Sequence, residues 1–345
     1  MIMRGGTSKG AFFLESDLPA DEAERDRLLL QIMGTPDARQ IDGMGGAHPL
    51  TSKVAVVTPS TDPETDIEYL FLQVGVGDAF VTDRQNCGNM LAAVGPFALE
   101  RGIIDLPDGP AAVRILMRNT GGKAVAHFQV ENGAPVYDGD TAISGVPGTA
   151  APIDIDFLGI AGGSTGALLP TGQVADHIDA IEVTLVDNGM PVVVMRAEDL
   201  GITGHEDCAD LEANEGLRTR LEGIRLEAGR LMGLGDVTDT TIPKMTMVAP
   251  PKEGGALSTR TFIPHRCHEA IGVLGAVSVA TAAMLEGSPA HEMAALDPDS
   301  PVVTLEHPTG TFDALVEMAD GEVIRAGIVR TARKLMDGTV YPRAY

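Results

Sequence analysis

Asn86-Cys87-Gly88-Asn89-Met90, running into the apolar segment Leu91 to Leu99, decides the fold once it is set beside Pro264-His265-Arg266-Cys267-His268-Glu269, which runs into Ala270 to Met284. Each stretch places a cysteine where a polar loop turns into a predicted helix. From Gly88 to Arg101 the only charges are Glu100 and Arg101. A helix apolar on every side belongs inside a core, and two of them call for two cores. Gly95-Pro96 should distort the first helix, and Gly102 is its stop signal.

Reading outward, other features also occur twice and in the same order. Gly5-Gly6-Thr7-Ser8-Lys9-Gly10 leads into apolar Ala11 to Leu14, and Gly162-Gly163-Ser164-Thr165-Gly166 leads into Ala167-Leu168-Leu169. Strands are expected at 54–57, 67–76, 112–118 and 124–130 in the first half. In the second they fall at 181–186, 192–195, 246–248, 259–263, 302–305, 311–317 and 322–328, with turns at Asp108-Gly109 and Asn132-Gly133. The fold class is therefore α+β: two pseudo-symmetric lobes, each a curved β-sheet or barrel around a central apolar helix. The N-terminal lobe, 1–150, carries Lys53 and Cys87, and the turn-rich passage at 145–152 marks the boundary. The C-terminal lobe, 151–345, contains a helical insertion at 206–234 with Leu211, Leu217, Leu221, Ile224 and Leu231 on its apolar side. It has no visible counterpart in the first half, and packing or the subunit contact of a homodimer would use it. A surface helix is expected from Asp17 to Thr35, and a short last helix from Arg330 to Met336.

The chain has 345 residues, 44% of them hydrophobic, with no Trp and 4% aromatic residues, so its cores are aliphatic. A formal charge of −24 repels nucleic acid and anionic membranes. A small molecule or a protein remains as the partner. No apolar run reaches the ~20 residues of a membrane span, and Met1-Ile2-Met3-Arg4 enters a glycine motif too early for a signal peptide. The expected location is cytoplasmic. Cys87, Cys208 and Cys267 lie far apart in sequence and imply no disulfide framework.

Lys53 stands at the mouth of the buried strand Val54-Ala55-Val56-Val57, after a second glycine loop, Gln40-Ile41-Asp42-Gly43-Met44-Gly45-Gly46. Cys87 follows it by 87 − 53 = 34 residues, enough for two strands and a loop to bring both to one cleft. A thiol at a helix start falls below its free pKa of ~8.5, and a desolvated lysine below ~10.4. Such a pair can take a proton from carbon and return one elsewhere, an isomerisation that needs no cofactor. Backbone N–H groups of the glycine loops and of the two helix starts would hold the carboxylates of a small acidic substrate, with Arg4, Lys9, Lys53 and Arg266 as local positive charge. The candidate binding set is Arg4, Gly6, Thr7, Ser8, Gly45, Gly46, Ser52, Asn86, Gly88, Asn89, Thr165, Arg266, Cys267 and His268. A cleft between the lobes, facing both helix starts, is the expected place.

Zinc is a rival reading, because His265, Cys267 and His268, with His205 and Cys208, supply nitrogen and sulfur. Three ligands within four residues around a cation argue against it, and no metal is expected. Cys267 is either a second acid or base paired with Cys87 across the pseudo-twofold, or a small apolar group at a helix start. Cys208 is read as incidental.

Arg4-Gly-Gly-Thr-Ser-Lys-Gly10, Gln40-Ile-Asp-Gly-Met-Gly-Gly46, Thr51-Ser-Lys-Val54, Asn86-Cys-Gly-Asn89 and Asp187-Asn-Gly-Met-Pro191 together resemble the family of 2-methylaconitate cis–trans isomerase and 4-oxalomesaconate tautomerase. The likeness spans nearly the whole chain, and the 4-oxalomesaconate branch is the more similar. It implies the diaminopimelate-epimerase-like fold, with Lys53 and Cys87 serving the proton transfer. Related epimerases use one cysteine per lobe, and the second-lobe position falls close to Cys267. Family members usually carry several more residues before the first motif, so the strand at Met1 to Met3 is expected to be shortened. The substrate implied is a tricarboxylate, 4-oxalomesaconate, from gallate or protocatechuate breakdown. The alternatives are 2-methylaconitate on the same fold and a non-catalytic metal- or carboxylate-binding protein.

Overall fold

The computed structural model describes residues 1–343, which fall into two compact units: Met1–Leu158 with the chain from Val329 onward, and Gly159–Ile328. The expected halves, 1–150 and 151–345, differ from these units at both ends. A strand at 152–158 still belongs to the first unit, and so does the last stretch of chain. In order, the elements are β1 (Ile2–Gly5), β2 (Ser8–Leu14), α1 (Glu22–Met33), β3 (Lys53–Pro59), β4 (Ile67–Val74), β5 (Val81–Thr82), α2 (Gly88–Leu91), α3 (Val94–Glu100), β6 (Gly109–Met117), β7 (Gly122–Glu131), β8 (Ala134–Pro135) and β9 (Pro152–Leu158). There follow β10 (Asp176–Ile178), β11 (Ile181–Asp187), β12 (Pro191–Arg196), α4 (Cys208–Ala213), α5 (Glu215–Leu231), β13 (Lys244–Ala249), β14 (Leu257–Phe262), α6 (Val273–Met284), α7 (Pro289–Met293), β15 (Val302–His307), β16 (Gly310–Ala319) and β17 (Glu322–Met336).

In the first unit β1 and β2 form an antiparallel hairpin, and β2 and β3 pair in parallel. β3–β4 is antiparallel, β4–β6 parallel, and β6–β7 and β7–β9 antiparallel. The later part of β17 pairs with β1, from Ile2↔Met336 to Gly5↔Ala332, and β17 also pairs with β9. Eight strands thus close a ring, which leaves no free edge. Residues Met90 to Leu99 are buried within this unit, Phe97 meeting Phe12 at 5.5 Å between ring centroids. The buried helix is not continuous. Pro96 lacks an N–H and its ring collides with a carbonyl four residues back, so the break falls at Ala92-Ala93, just ahead of the Gly95-Pro96 pair.

A parallel crossover needs a long connection, usually helical, and α1 supplies it between β2 and β3. Its Leu29, Ile32 and Met33 cover Val54, Val56, Leu70 and Leu72 on one face of the strands. The helix is shorter than the expected Asp17–Thr35. Asp21 caps its start by accepting from Glu24 N–H, and Gly34, at φ 79°, ends it.

The second unit runs the same series: β11–β12 antiparallel, β12–β13 parallel, β13–β14 antiparallel, β14–β15 parallel, then β15–β16 and β16–β17 antiparallel. Helix α6 lies between β14 and β15 in sequence, as α2 and α3 lie between β4 and β6, and it packs on β11, β12, β15 and β16. The α4–α5 segment now has a counterpart, contrary to expectation: it fills the β12–β13 crossover as α1 fills β2–β3. Leu211, Leu217, Leu221 and Ile224 cover Val193, Met195, Met245 and Met247, but Leu231 is exposed, 41%, and lies off that face.

Two elements differ in kind. Arg330 to Met336 is strand, not helix, because its backbone is paired with β1. Gly162 to Leu169 forms turns, not a loop feeding a strand.

Candidate active site

The first glycine motif packs directly on the start of α2. A Cβ on Gly5 would stand 2.4 Å from the Asn89 carbonyl oxygen, and one on Gly6, at φ +50°, only 2.1 Å from Asn89 Oδ1. At Gly10 it would meet the Lys53 carbonyl oxygen at 2.4 Å. Glycine is required where two backbones approach this closely. Asn89 then locks the contact: its Nδ2 donates to Thr7 Oγ1 at 3.1 Å, while Oδ1 accepts from Arg330 Nε at 3.2 Å. Arg4 stiffens the same turn, its Nη1 donating to the carbonyls of Gly6 and Thr331 and to Thr331 Oγ1. That nitrogen is occupied, so Arg4 acts first on the loop.

Lys53 opens β3 and is 6% exposed. It has no carboxylate partner among the described residues. Its Nζ donates to Gln73 Oε1 at 2.7 Å and sits 4.8 Å from the centre of the Phe71 ring, a cation–π contact. Gln73, Phe71 and Tyr69 alternate along β4 and share one face. Tyr69, fully buried, donates from its hydroxyl to the Cys87 carbonyl at 3.4 Å. Burial, with the nearby Cys87 adding to it, pushes the Tyr69 hydroxyl well above its usual range, so it stays a donor. One face of β4 therefore runs from the amine to the cysteine. Neither Tyr69, Phe71 nor Gln73 was in the candidate set, although their period of two was visible in the sequence.

Cys87 is the N-cap of α2, half-buried, and its carbonyl accepts from Leu91 N–H at 3.0 Å. Gly88, the first residue of α2, begins a helix of one turn only, so aligned peptide dipoles contribute less here than a long helix would. Two polar atoms nearby lack partners among the described residues: Ser8 Oγ, in a residue 1% exposed, and Asn86 Oδ1, whose own Nδ2 donates to Thr120 Oγ1 at 2.7 Å. Buried polar atoms without partners are uncommon and ask for an explanation.

The second glycine loop is braced by its own side chains. Gln40 Nε2 donates to Ser52 Oγ at 2.8 Å and its Oε1 accepts from Ala47 N–H, leaving no room for a Cβ on Gly45. A Cβ on Gly46 would meet Thr51 Oγ1 at 2.4 Å and lie 3.5 Å from Lys9 Nζ. Ser52 is thereby a buried strut, not a free hydroxyl.

In the second unit, Thr165 is engaged too: its N–H and Oγ1 donate to Asp187 Oδ2 at 3.0 and 3.1 Å, beside Ser164 N–H at 2.8 Å. Asn188 ties this turn to α6, its N–H donating to Ser278 Oγ and its Nδ2 to Thr281 Oγ1. Arg266 is largely exposed and pairs with Glu212.

Cys267 does not open a helix. The N-cap of α6 is Gly272, and Cys267 sits earlier, bridged to Phe262 and 7% exposed. Its sulfur accepts from the Cys208 thiol at 2.8 Å within the core of this unit, and burial together with that neighbour pushes its own thiol far above the usual range. Burial and this contact fit the reading of Cys267 as a small packed group, though not one at a helix start, and Cys208 is its neighbour, not an incidental residue. His265, Cys267, His268, His205 and Cys208 do not gather around one point; no group of three or more His, Cys, Asp or Glu among the described residues could hold a metal. His268 is half-buried, its Nδ1 accepting from Ala270 N–H at 2.9 Å. No helix among the described residues is long and apolar enough to cross a membrane.

Known proteins match this chain along its whole length. A family model described as PrpF protein matches residues 1–343. The chain is 57% identical over 343 residues to the (4E)-oxalomesaconate Delta-isomerase of Novosphingobium sp. (strain KA1), with 99% of this chain and 96% of the relative covered. It is 54% identical over 341 residues to the 4-oxalomesaconate tautomerase of Pseudomonas putida, covering 99% and 94%. A crystal structure of Methylitaconate-delta-isomerase superposes with a TM-score of 0.91 at 36% identity, covering 99% of this chain and 94% of that one.

Proposed function

On the premise that this chain belongs to the PrpF family, we propose that it is an isomerase that moves a proton within 4-oxalomesaconate, by acid–base catalysis between Lys53 and Cys87. The observation that carries the reading is Lys53 itself: a buried amine held by an amide oxygen and an aromatic face, with no carboxylate to keep it as a spectator ion pair. The identities of 57% and 54% to oxalomesaconate enzymes favour this substrate over 2-methylaconitate. Each unit, a curved sheet around a buried helix, fits the diaminopimelate-epimerase-like architecture.

The C–H bonds next to the ketone and along the conjugated chain of 4-oxalomesaconate are acidified by delocalisation. Lys53, as the free amine, takes the proton and becomes an ammonium, and the electron pair spreads into an enolate. N–H and O–H donors fixed before the reaction stabilise such a charge without reorganising; the Ser8 hydroxyl, which has no partner among the described residues, is the donor at hand. Cys87 gives its S–H proton to the far end of the conjugated system, or to the oxygen in a keto–enol exchange. The ammonium and thiolate left behind are reset by one proton passing back from Lys53 to Cys87. Asn89 and Tyr69 position this pair, Asn89 through the glycine turn and Tyr69 through the Cys87 carbonyl. No cofactor takes part in this sequence of steps, and the partner in them is the small tricarboxylate.

The test is turnover of 4-oxalomesaconate by Lys53→Met and Cys87→Ser, followed in D₂O so that the carbon receiving deuterium is identified. Full turnover in both variants sinks the proposal, and a higher kcat/KM for 2-methylaconitate transfers it to that acid.

A further inference from the structure

Gln73 is held in one orientation by its surroundings. It stands directly opposite Lys53 in the antiparallel β3–β4 pair, where side chains share one face of the sheet. Its Nε2 lies 3.1 Å from the Pro49 carbonyl oxygen, 2.9 Å from that of Ser52 and 3.3 Å from that of Val74. A carbonyl oxygen only accepts, so the amide nitrogen has to face this group of three and the amide oxygen has to face away from it. That oxygen meets Lys53 Nζ at 2.7 Å. The same bonds tie Gln73 to the second glycine loop, because Pro49 begins the single helical turn Pro49–Thr51 that joins the loop to β3.

An amide oxygen does what a carboxylate at this place would not. It accepts from an ammonium and from a neutral amine, since each keeps an N–H to donate, so Lys53 stays in place as it gains and loses a proton. A carboxylate at the same distance would favour the ammonium and hold it as an ion pair. The duplication supplies the contrast. Lys244 opens β13 after a helical crossover as Lys53 opens β3, and it faces Val192 of its parallel neighbour where Lys53 faces Gly10. Met245 faces Phe262, and one further step of that register puts Ile263 opposite Lys244. No amide stands there. Lys244 Nζ donates to the Thr241 carbonyl and, with Thr261 and Ile263, borders a cavity of about 160 Å³. Both units thus keep the lysine, and the oriented amide belongs to the unit that carries Cys87.

We propose that Gln73 is a positioning residue of the reaction: its locked amide oxygen aims Lys53 Nζ and leaves the amine free to exchange a proton with the substrate. This role rests on Lys53 acting as the base, as proposed above. Gln73→Glu puts a charged acceptor at the same reach, and the acidic limb of the kcat profile for 4-oxalomesaconate should move to higher pH by about one to three units. Lysine labelled at Cε with ¹³C reads the same contact without turnover. The Lys53 resonance, assigned by its loss in Lys53→Met, should titrate at higher pH in Gln73→Glu than in wild type, while that of exposed Lys252 stays where it was. Gln73→Met keeps the length of the side chain and removes the acceptor. Its kcat should fall about tenfold or more with KM within about threefold, as when an interaction made only in the transition state is lost. An unmoved Lys53 titration in Gln73→Glu overturns the proposal even where Lys53→Met is inactive. So does a Gln73→Met variant with kcat within about twofold of wild type, or one whose loss is carried by KM alone, which would make Gln73 a strut of the glycine loop. Full turnover by Lys53→Met instead removes the base itself, and the role of Gln73 falls with it whatever the resonance does.

Discussion

The two units repeat one frame and fill it differently. At the mouth of β3 an amine is held by Gln73 and Phe71, whereas at the mouth of β13 the equivalent amine faces Ile263 and an empty volume. At the start of the inner helix the first unit has Cys87 and the second has Gly272. The pair of cysteines that looked equivalent, Cys87 and Cys267, is therefore not the pair related by the duplication. Duplication conserves strand order and register because those are fixed by backbone pairing. Side chains facing inward are free to specialise, and here one frame carries an amine with a thiol while the other carries an amine with a hole.

Several substitutions would break or sharpen that contrast. Lys53→Met should lower kcat by about 10³-fold, within the usual worth of a general base; a loss under tenfold would remove the asymmetry between the two amines. Phe71→Thr would give the first unit the second unit's side chain. It should cost about 3 kcal/mol of stability, as large-to-small changes in a buried core do, read as a lower midpoint in denaturant. Cys87→Ser should cost about 10²-fold in kcat and Cys267→Ser less than about twofold, and equal losses would restore the two-thiol reading. In the native protein an alkylating reagent followed by mass mapping should modify half-buried Cys87 well before Cys267, which is buried and held protonated.

The smallest effect concerns pH. Lys244 titrates near 8 in the folded chain and near its ordinary 10.5 when unfolded, so between those values the unfolded state binds more protons and stability rises with pH. The burial penalty is present in full below about pH 8 and disappears toward 10.5. Arg225, paired with Glu222, and His268, beside Glu269, are the other ionisable groups around it. The melting temperature of Lys244→Met relative to wild type should therefore stand higher at pH 7 than at pH 10, and a gap that widens instead would contradict the burial.

Much of this was legible in sequence. Lys53 before four buried apolar residues reads as the entry to an inner strand, and Asn132-Gly133 reads as the tight turn that its φ values of 53° and 73° require. What escaped was decided by distant contacts. Arg330 to Met336 contains Ala, Arg, Lys, Leu and Met, all good helix formers, yet pairing across the ring overrides that preference. Cys267 resembled Cys87 in its local context, and only the position of Gly272 tells them apart. Lys244 has no glycine motif around it to mark it in sequence; the signal that points to it is its place as the first strand residue after a helical crossover, the place Lys53 also holds.

Strand β17 gives its opening residues to the second unit and its remainder to the first, whose ring it completes. A ribosome reads the chain from the other end. The second unit, inserted in sequence between the two parts of the first, has all its residues before residue 329 emerges, while the first unit must wait for the tail with seven strands and two open edges. The part of the protein that is made first is thus the part that can finish last. Until then its two open edges present unpaired backbone on which another strand can add.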